Sequence, residues 1–255
     1  MISLQPRHQT ERFRQEPKRR LLTVETTSLL TPHMRRVTFT SPDLADFVSR
    51  SPDDHIKLFL PDPADPQRQV MRDYTPRAFD AGRNSLTIDF ALHDAGPATA
   101  WATSAKPGDS LPIGGPRGSI VVPDDFDFYL LVGDESALPA IGRRVENLRP
   151  GVPVASIVVV DGPEDVQRFE TAADWTATWL FRQENPSDDA VLLRNALSHW
   201  PAPPGDGYVW IAAEAHAARA ARDHMLNERQ HPKQWLKAAG YWVRGAAGAT
   251  EKFEA

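Results

Sequence analysis

Apolar positions along the first half of the chain recur with a period of two in short runs. Leu21-Leu22-Thr23-Val24-Glu25-Thr26 reads as a strand and Met34–Thr40 as its partner. His55–Leu60, Val70–Thr75, Ser85–Leu92 and Ser110–Ile113 continue the series. Pro, Asp and Gly punctuate them: Pro61-Asp62-Pro63 closes one strand, and Pro107-Gly108-Asp109 is a turn. Ser41-Pro42-Asp43-Leu44 resembles a short helix start, and Gly96-Pro97 opens a helical stretch through Trp101 to Ala105. Short strands at this spacing predict a small antiparallel β-barrel of six strands.

The pattern changes near Pro123-Asp124-Asp125. Tyr129–Gly133, Val154–Val160, Thr176–Phe181 and Tyr208–Ala212 are continuous apolar runs of the buried-strand type. Helical stretches over Leu138–Leu148, Ala190–Trp200 and Ala213–Gln230 alternate with them. This predicts a three-layer α/β unit, a parallel sheet with helices on both faces. Residues 5 to 20 are polar and charge-rich. The expected organisation is a flexible arm over 1–17, a β-barrel domain over 18–123 and an α/β domain over 124–255.

Composition narrows the chemistry. The chain has 255 residues and no cysteine, which excludes disulfides, thiolate-bound zinc, cysteine-held iron–sulfur clusters and a cysteine nucleophile. Redox chemistry here needs a bound organic cofactor or a metal arriving with the substrate. A net charge of −5 argues against general nucleic-acid binding. No apolar run is long enough for a bilayer, and Met1 to Arg7 lacks the apolar middle of a secretory signal, so a cytoplasmic protein is expected. The eight histidines show no His-x-x-x-His pair, and no protein-bound metal is expected.

Arg72-Asp73-Tyr74-Thr75 carries the sharpest chemical signal. Alternation along a strand puts Arg72 and Tyr74 on one face. Tyr74 can then offer its ring to a flat heterocycle, and Arg72 a fork of donors to a pyrophosphate. That suits a flavin; the plain alternative is an edge strand with an exposed Arg. Gly96-Pro97-Ala98-Thr99 opens a helix whose first N–H groups suit a pyrophosphate or are simply capped. Gly114-Gly115-Pro116-Arg117-Gly118-Ser119 lacks the Gly-Lys-Ser/Thr ending of a phosphate-binding loop. Asp134-Glu135-Ser136 falls beyond the carboxyl end of the first α/β strand, where ligands bind in open sheets or where acids cap helices. Glu214, at the end of a later strand, has the same two readings.

Taken in order, several segments resemble the siderophore-interacting proteins, flavin-dependent ferric-siderophore reductases related to the ferredoxin–NADP reductase superfamily. They are Asp54–Leu58, Arg72–Arg77, Asp89–His93, Gly96–Ala102, Pro107–Asp109, Gly114–Ser119, Gly133–Ile141, Trp210–Glu214 and Gly240–Trp242. Thr99, Ser136 and Ala213 stand where the family usually has Ser, Thr and Gly, and Val243 separates Trp242 from Arg244. The resemblance implies FAD, held by Arg72, Tyr74, Thr75, Asp89, Phe90, His93, Gly96, Pro97, Ala98, Thr99 and Trp101. It places NADPH or NADH at Asp134, Glu135, Ser136 and Ala137, with Glu214, Tyr241 and Trp242 nearby. Lys57, Arg117 and Arg244 are the expected basic rim for an anionic ferric siderophore. The flavin mediates catalysis, so no side chain is named as catalytic. Asp161 opposes a 2′-phosphate and Arg182 welcomes one, which leaves NADH against NADPH open; ferredoxin is a further candidate donor. A monomer is expected. A general NAD(P)H:flavin or ferredoxin-coupled reductase and a non-catalytic siderophore-binding module are the competing readings.

Overall fold

The computed structural model describes residues 7–62, 65–92, 96–185 and 187–253. The strands β1 (Glu11–Arg14), β2 (Arg19–Thr31), β3 (Met34–Thr40), β4 (Ile56–Asp62), β5 (Asp65–Tyr74), β6 (Ala78–Asp80) and β7 (Ser85–Ala91) come first. Helix α1 (Pro97–Ser104) and strands β8 (Ser110–Gly114) and β9 (Gly118–Val121) complete the first half. A seven-stranded antiparallel sheet runs in the order β5-β4-β8-β2-β3-β7-β6. It carries one strand more than the six expected, because the three-residue β6 pairs with the end of β7. Alternation does the folding work: Leu22 and Val24 of β2, and Val37 and Phe39 of β3, point inward onto Leu58, Ile88 and Ile113.

The second half holds β10 (Phe128–Asp134), α2 (Leu138–Asn147), β11 (Pro153–Val160), β12 (Asp174–Phe181), α3 (Asp189–His199), β13 (Gly207–Glu214), α4 (Ala215–Asp223), β14 (Leu236–Trp242) and β15 (Glu251–Lys252). The sheet order is β12-β11-β10-β13-β14-β15, parallel except at the last pair. Every residue of β10 and β13 is buried, as befits central strands covered on both faces. Leu131, Val158 and Trp210 meet α2 on one face, while Leu130, Ile157 and Val209 meet α3 and α4 on the other. These are the three expected layers. The long helix expected to reach Gln230 ends at Asp223 and widens into a turn over His224–Glu228.

Gly133 shows why the first strand-to-helix turn is so tight. A methyl group on it would lie 2.5 Å from the Ala137 Cβ and 2.6 Å from the Ala212 carbonyl oxygen.

The arm differs from expectation over its described residues. β1 pairs antiparallel with β9, and the buried His8 ring stacks on Phe126 at 3.9 Å with its Nδ1 2.7 Å from Asp125. Polar residues read as an arm are thus held by backbone pairing and an aromatic contact, neither of which apolar periodicity reports.

Buried polar ties join the two halves. The Arg143 guanidinium of α2 donates to the Ser49 carbonyl (2.6 Å), the Ser49 hydroxyl (2.8 Å) and the Pro76 carbonyl (3.0 Å). Arg77 forms a two-pronged pair with Glu146 of α2. Asp53 accepts from the Trp210 indole at 3.1 Å and pairs with Lys237 of β14. Burial alone would raise the Asp53 carboxyl, but Lys237 and Arg144 hold it down at about 2. The geometry of the crevice between the halves therefore rests on charged groups locked in place.

Candidate functional site

The carboxyl ends of β10, β13 and β14 meet at one buried carboxylate. Asp134 is wholly buried, and four donors converge on it. The Ser136 amide (2.9 Å) and hydroxyl donate to one oxygen. The Glu214 amide (2.8 Å) and the Trp242 indole (2.9 Å) donate to the other. Glu214 continues the tie: it caps α4 through the His216 and Ala217 amides and accepts the Arg244 amide at 3.1 Å. The capping reading of both acids is correct in geometry, and the same caps hold the nearby side chains in place.

Next to Trp242, the Tyr241 phenol lies beside the side chain of Thr75, the last residue of the Arg72–Thr75 motif, near enough for the two to interact. Burial raises the Tyr241 phenol, so it stays protonated as a hydrogen-bonding group at neutral pH. The barrel motif and the end of the parallel sheet are therefore in contact. Thr75, expected to face a flavin edge, is buried in this pairing.

The other residues expected to hold flavin divide into two groups. Tyr74 is half-buried, and its ring lies 4.7 Å from that of Phe90. Arg72 is also half-buried on the same strand face. Gly248, in the segment after β14, lies against its guanidinium: a methyl there would be 2.7 Å from Arg72 Nη1. Helix α1 begins with Gly96 as its cap and Pro97 in the first turn, and among the described residues no side chain is hydrogen-bonded as its cap. An end of this kind leaves donors to be met by a phosphate or by water. Thr99 and the half-buried Trp101 lie on this helix, with Trp101 packed on Phe90 and Phe39.

Other expected contacts act at one remove. Phe90 is fully buried and backs Tyr74. Asp89 is 3% exposed, and its carboxylate is engaged by Arg36 in two hydrogen bonds of 2.7 and 2.8 Å, with Arg77 at 3.7 Å. Ala98 and Ala137 are core side chains, leaving only their backbone for a ligand. His93 lies outside the described residues.

The expected basic rim is not uniform. Lys57 is paired with Asp73 at 2.7 Å directly across the β4–β5 ladder. Strand alternation therefore turns Lys57 to the face opposite Arg72 and Tyr74. Arg117, between β8 and β9, and Arg244, after β14, are exposed.

Beyond the carboxyl ends of the strands, a cleft of roughly 460 Å³ opens between the two halves. Thr31, His33 and Thr99 line one side, and Glu135, Asp161 and Arg182 the other. His33 Nδ1 sits 2.7 Å from Asp165, and this hydrogen bond lifts the imidazole above its ordinary value. Burial, together with neighbouring Asp134, pushes the Glu135 carboxyl up, against the opposing pull of Arg182. Sequence reasoning finds Asp161 and Arg182 but not the Arg182–Glu135–Asp189 cluster, which joins the turn after β10, the segment after β12 and the start of α3. Among the described residues no group of His, Asp and Glu side chains is arranged to hold a metal ion, and no helix is long and apolar enough to cross a membrane.

The sequence of the second half matches the family model described as siderophore-interacting protein over residues 126–245. The first half matches the siderophore-interacting FAD-binding domain over residues 23–67 and 63–120. The chain belongs to the siderophore-interacting protein family. A curated relative, the NADPH-dependent ferric-chelate reductase of Escherichia coli, is 34% identical over 91% of this chain and 96% of its own. Ferric vibriobactin reductase ViuB of Vibrio cholerae is 29% identical over 89% of this chain and 90% of its own. The crystal structure of a siderophore utilization protein from T. fusca superposes with a TM-score of 0.86 at 34% identity, covering 94% of this chain and 98% of that one. Family membership accounts for the two-part fold and for the order of the motifs along it.

Proposed function

We propose that this protein is a cytoplasmic, FAD-dependent reductase of ferric siderophores that draws electrons from a nicotinamide nucleotide. The observation that carries the reading is the meeting of Thr75 with Tyr241. It sets the flavin motif of the barrel against the ligand-binding edge of the parallel sheet, as electron transfer between two bound groups requires. The names of the Escherichia coli and Vibrio cholerae relatives support the same substrate class.

The residues present fit FAD. Tyr74 has a partly open ring backed by Phe90, and Arg72 stands two residues away on the same face. A glycine-capped helix start supplies backbone donors for a pyrophosphate. When bound, FAD accepts a hydride and passes on its two electrons singly, reducing two ferric ions. The chain's own task is placement. Tyr74 supports the ring, Arg72 and the α1 start hold the diphosphate, and the Asp134 tie positions Tyr241 and Trp242. Fe(II) binds hard oxygen ligands less well than Fe(III), so reduction releases the iron. No side-chain base is needed for the electron step.

The assignment extends to organisation: a Greek-key barrel domain over 18–123, an α/β domain over 124–255, and a monomer. Lys57 is neutralised by Asp73, so the substrate-facing charge falls to Arg117 and Arg244. The double variant Arg117→Ala/Arg244→Ala is expected to raise the KM for an anionic ferric siderophore about tenfold, with flavin reduction by the nucleotide little changed. Steady-state and anaerobic half-reaction kinetics check this. An unchanged KM removes the basic rim from the proposal.

A further inference from the structure

Strand order β12-β11-β10-β13 places the topological switch between β10 and β13, and a dinucleotide is expected across that crevice. In such sheets an acid past the second strand takes the hydroxyls of the adenosine ribose. A nearby arginine instead accommodates a 2′-phosphate. Here Asp161 follows β11 and Arg182 follows β12, and both line the cleft. Their partners decide between them.

The Arg182 guanidinium is already committed. Nε donates to Asp189 Oδ1 at 3.0 Å, and Nη2 donates to Asp189 Oδ2 and Glu135 Oε2, each at 2.8 Å. Both acids are largely buried, with side chains 5% and 14% exposed. One cation thus faces two carboxylates, and its Nε and Nη2 donors are engaged before any phosphate arrives. Asp161 and Glu164 share a neutral partner, the Gln183 amide, at 3.1 Å each. Asp165 is matched by His33. The rim of the cleft therefore carries more carboxylate than cation. Ribose hydroxyls are donors and suit such a rim, whereas a 2′-phosphate adds about two negative charges and is repelled.

We propose that this cleft selects NADH over NADPH, with Asp161 accepting from the adenosine ribose and with Glu135 and Asp189 withholding Arg182 from a 2′-phosphate. The inference rests on the functional reading above. It separates this protein from the Escherichia coli relative, whose name specifies NADPH.

The test uses the full-length, FAD-loaded protein. Flavin reduction is followed anaerobically in stopped flow with NADH and with NADPH, and NAD⁺ and NADP⁺ binding is measured by calorimetry. The expected result is a preference for NADH of at least about tenfold in both measurements, narrowing as salt is raised. Glu135→Gln/Asp189→Asn frees Arg182 and is expected to shift the NADPH-to-NADH ratio upward by about tenfold or more. Equal or NADPH-favoring behaviour of the unaltered protein overturns this proposal alone and leaves the reductase reading standing. An unchanged ratio in a folded double variant overturns the role of Arg182. Reduction by neither nucleotide removes the donor reading and this proposal with it.

Discussion

Asp134→Ala is expected to lower the unfolding free energy by about 3–5 kcal/mol, because it strands several buried donors at once. The Ser136 amide, the Glu214 amide and the Trp242 indole all lose this acceptor, the Glu214 amide in a fully buried position and the other two in part-buried ones. An unsatisfied buried donor costs about 1–3 kcal/mol, and donors on a shared acceptor do not add fully. Asp134→Asn keeps the shape but turns an amide NH₂ toward one set of donors, so a loss of about 2 kcal/mol is expected. Denaturant unfolding of the flavin-free protein measures both variants. A loss below about 1 kcal/mol for the alanine variant would show that these contacts are not the tie that joins β10, β13 and β14. The expectation also reaches function, since Tyr241 is placed by its neighbour Trp242: the alanine variant is expected to bind FAD more weakly even where it remains folded.

The second large effect concerns flavin itself. With FAD placed as proposed, Arg72→Ala removes a charge-assisted contact to the diphosphate, about 1.5–3 kcal/mol. In the same placement, Tyr74→Ala removes the ring proposed to support the flavin and opens a gap over Phe90, about 1–2 kcal/mol. Together they are expected to weaken FAD binding by two to three orders of magnitude. Titration of the flavin-free protein by flavin fluorescence provides the number. The seat of Gly248 against Arg72 means that FAD entering here has to share or displace that contact. Gly248 has a positive φ of 75°, so its backbone turn is one that other residues adopt with strain. A double variant that binds FAD as tightly as the unaltered protein would place the cofactor elsewhere.

The sequence makes the architecture readable where packing follows simple periods. Leu22, Val24, Val37 and Phe39 alternate and face the barrel core; Leu130 to Val132 and Val209 to Ile211 are continuous and lie in a sheet covered on both sides. It is silent on β1, whose Glu11-Arg12-Phe13-Arg14 is exposed throughout and is held by backbone pairing. β14, with Leu236-Lys237-Ala238-Ala239-Gly240, has too few β-branched residues to read as a strand and forms because β13 offers it an edge.

The site divides along the same line. Tyr74, Thr75, Asp134, Glu214, Tyr241 and Trp242 all sit in motifs; the structure joins Asp134, Glu214 and Trp242 in one hydrogen-bonded set, sets Thr75 beside Tyr241 and packs Tyr74 on Phe90. The engagement of Asp89 by Arg36, of Lys57 by Asp73 and of Arg182 by Glu135 and Asp189 depends on which loops and strands come together. No local pattern carries that information. These pairings nonetheless decide which charges remain available to a ligand.

The most direct test of the central claim is the visible absorption spectrum of the purified protein, taken anaerobically before and after a nicotinamide nucleotide and then a ferric siderophore. The reductase account predicts flavin bands that bleach with the nucleotide and return as the ferric complex is reduced. A colourless protein that takes up no added FAD, or a reduced flavin that ferric siderophore leaves bleached, would contradict it.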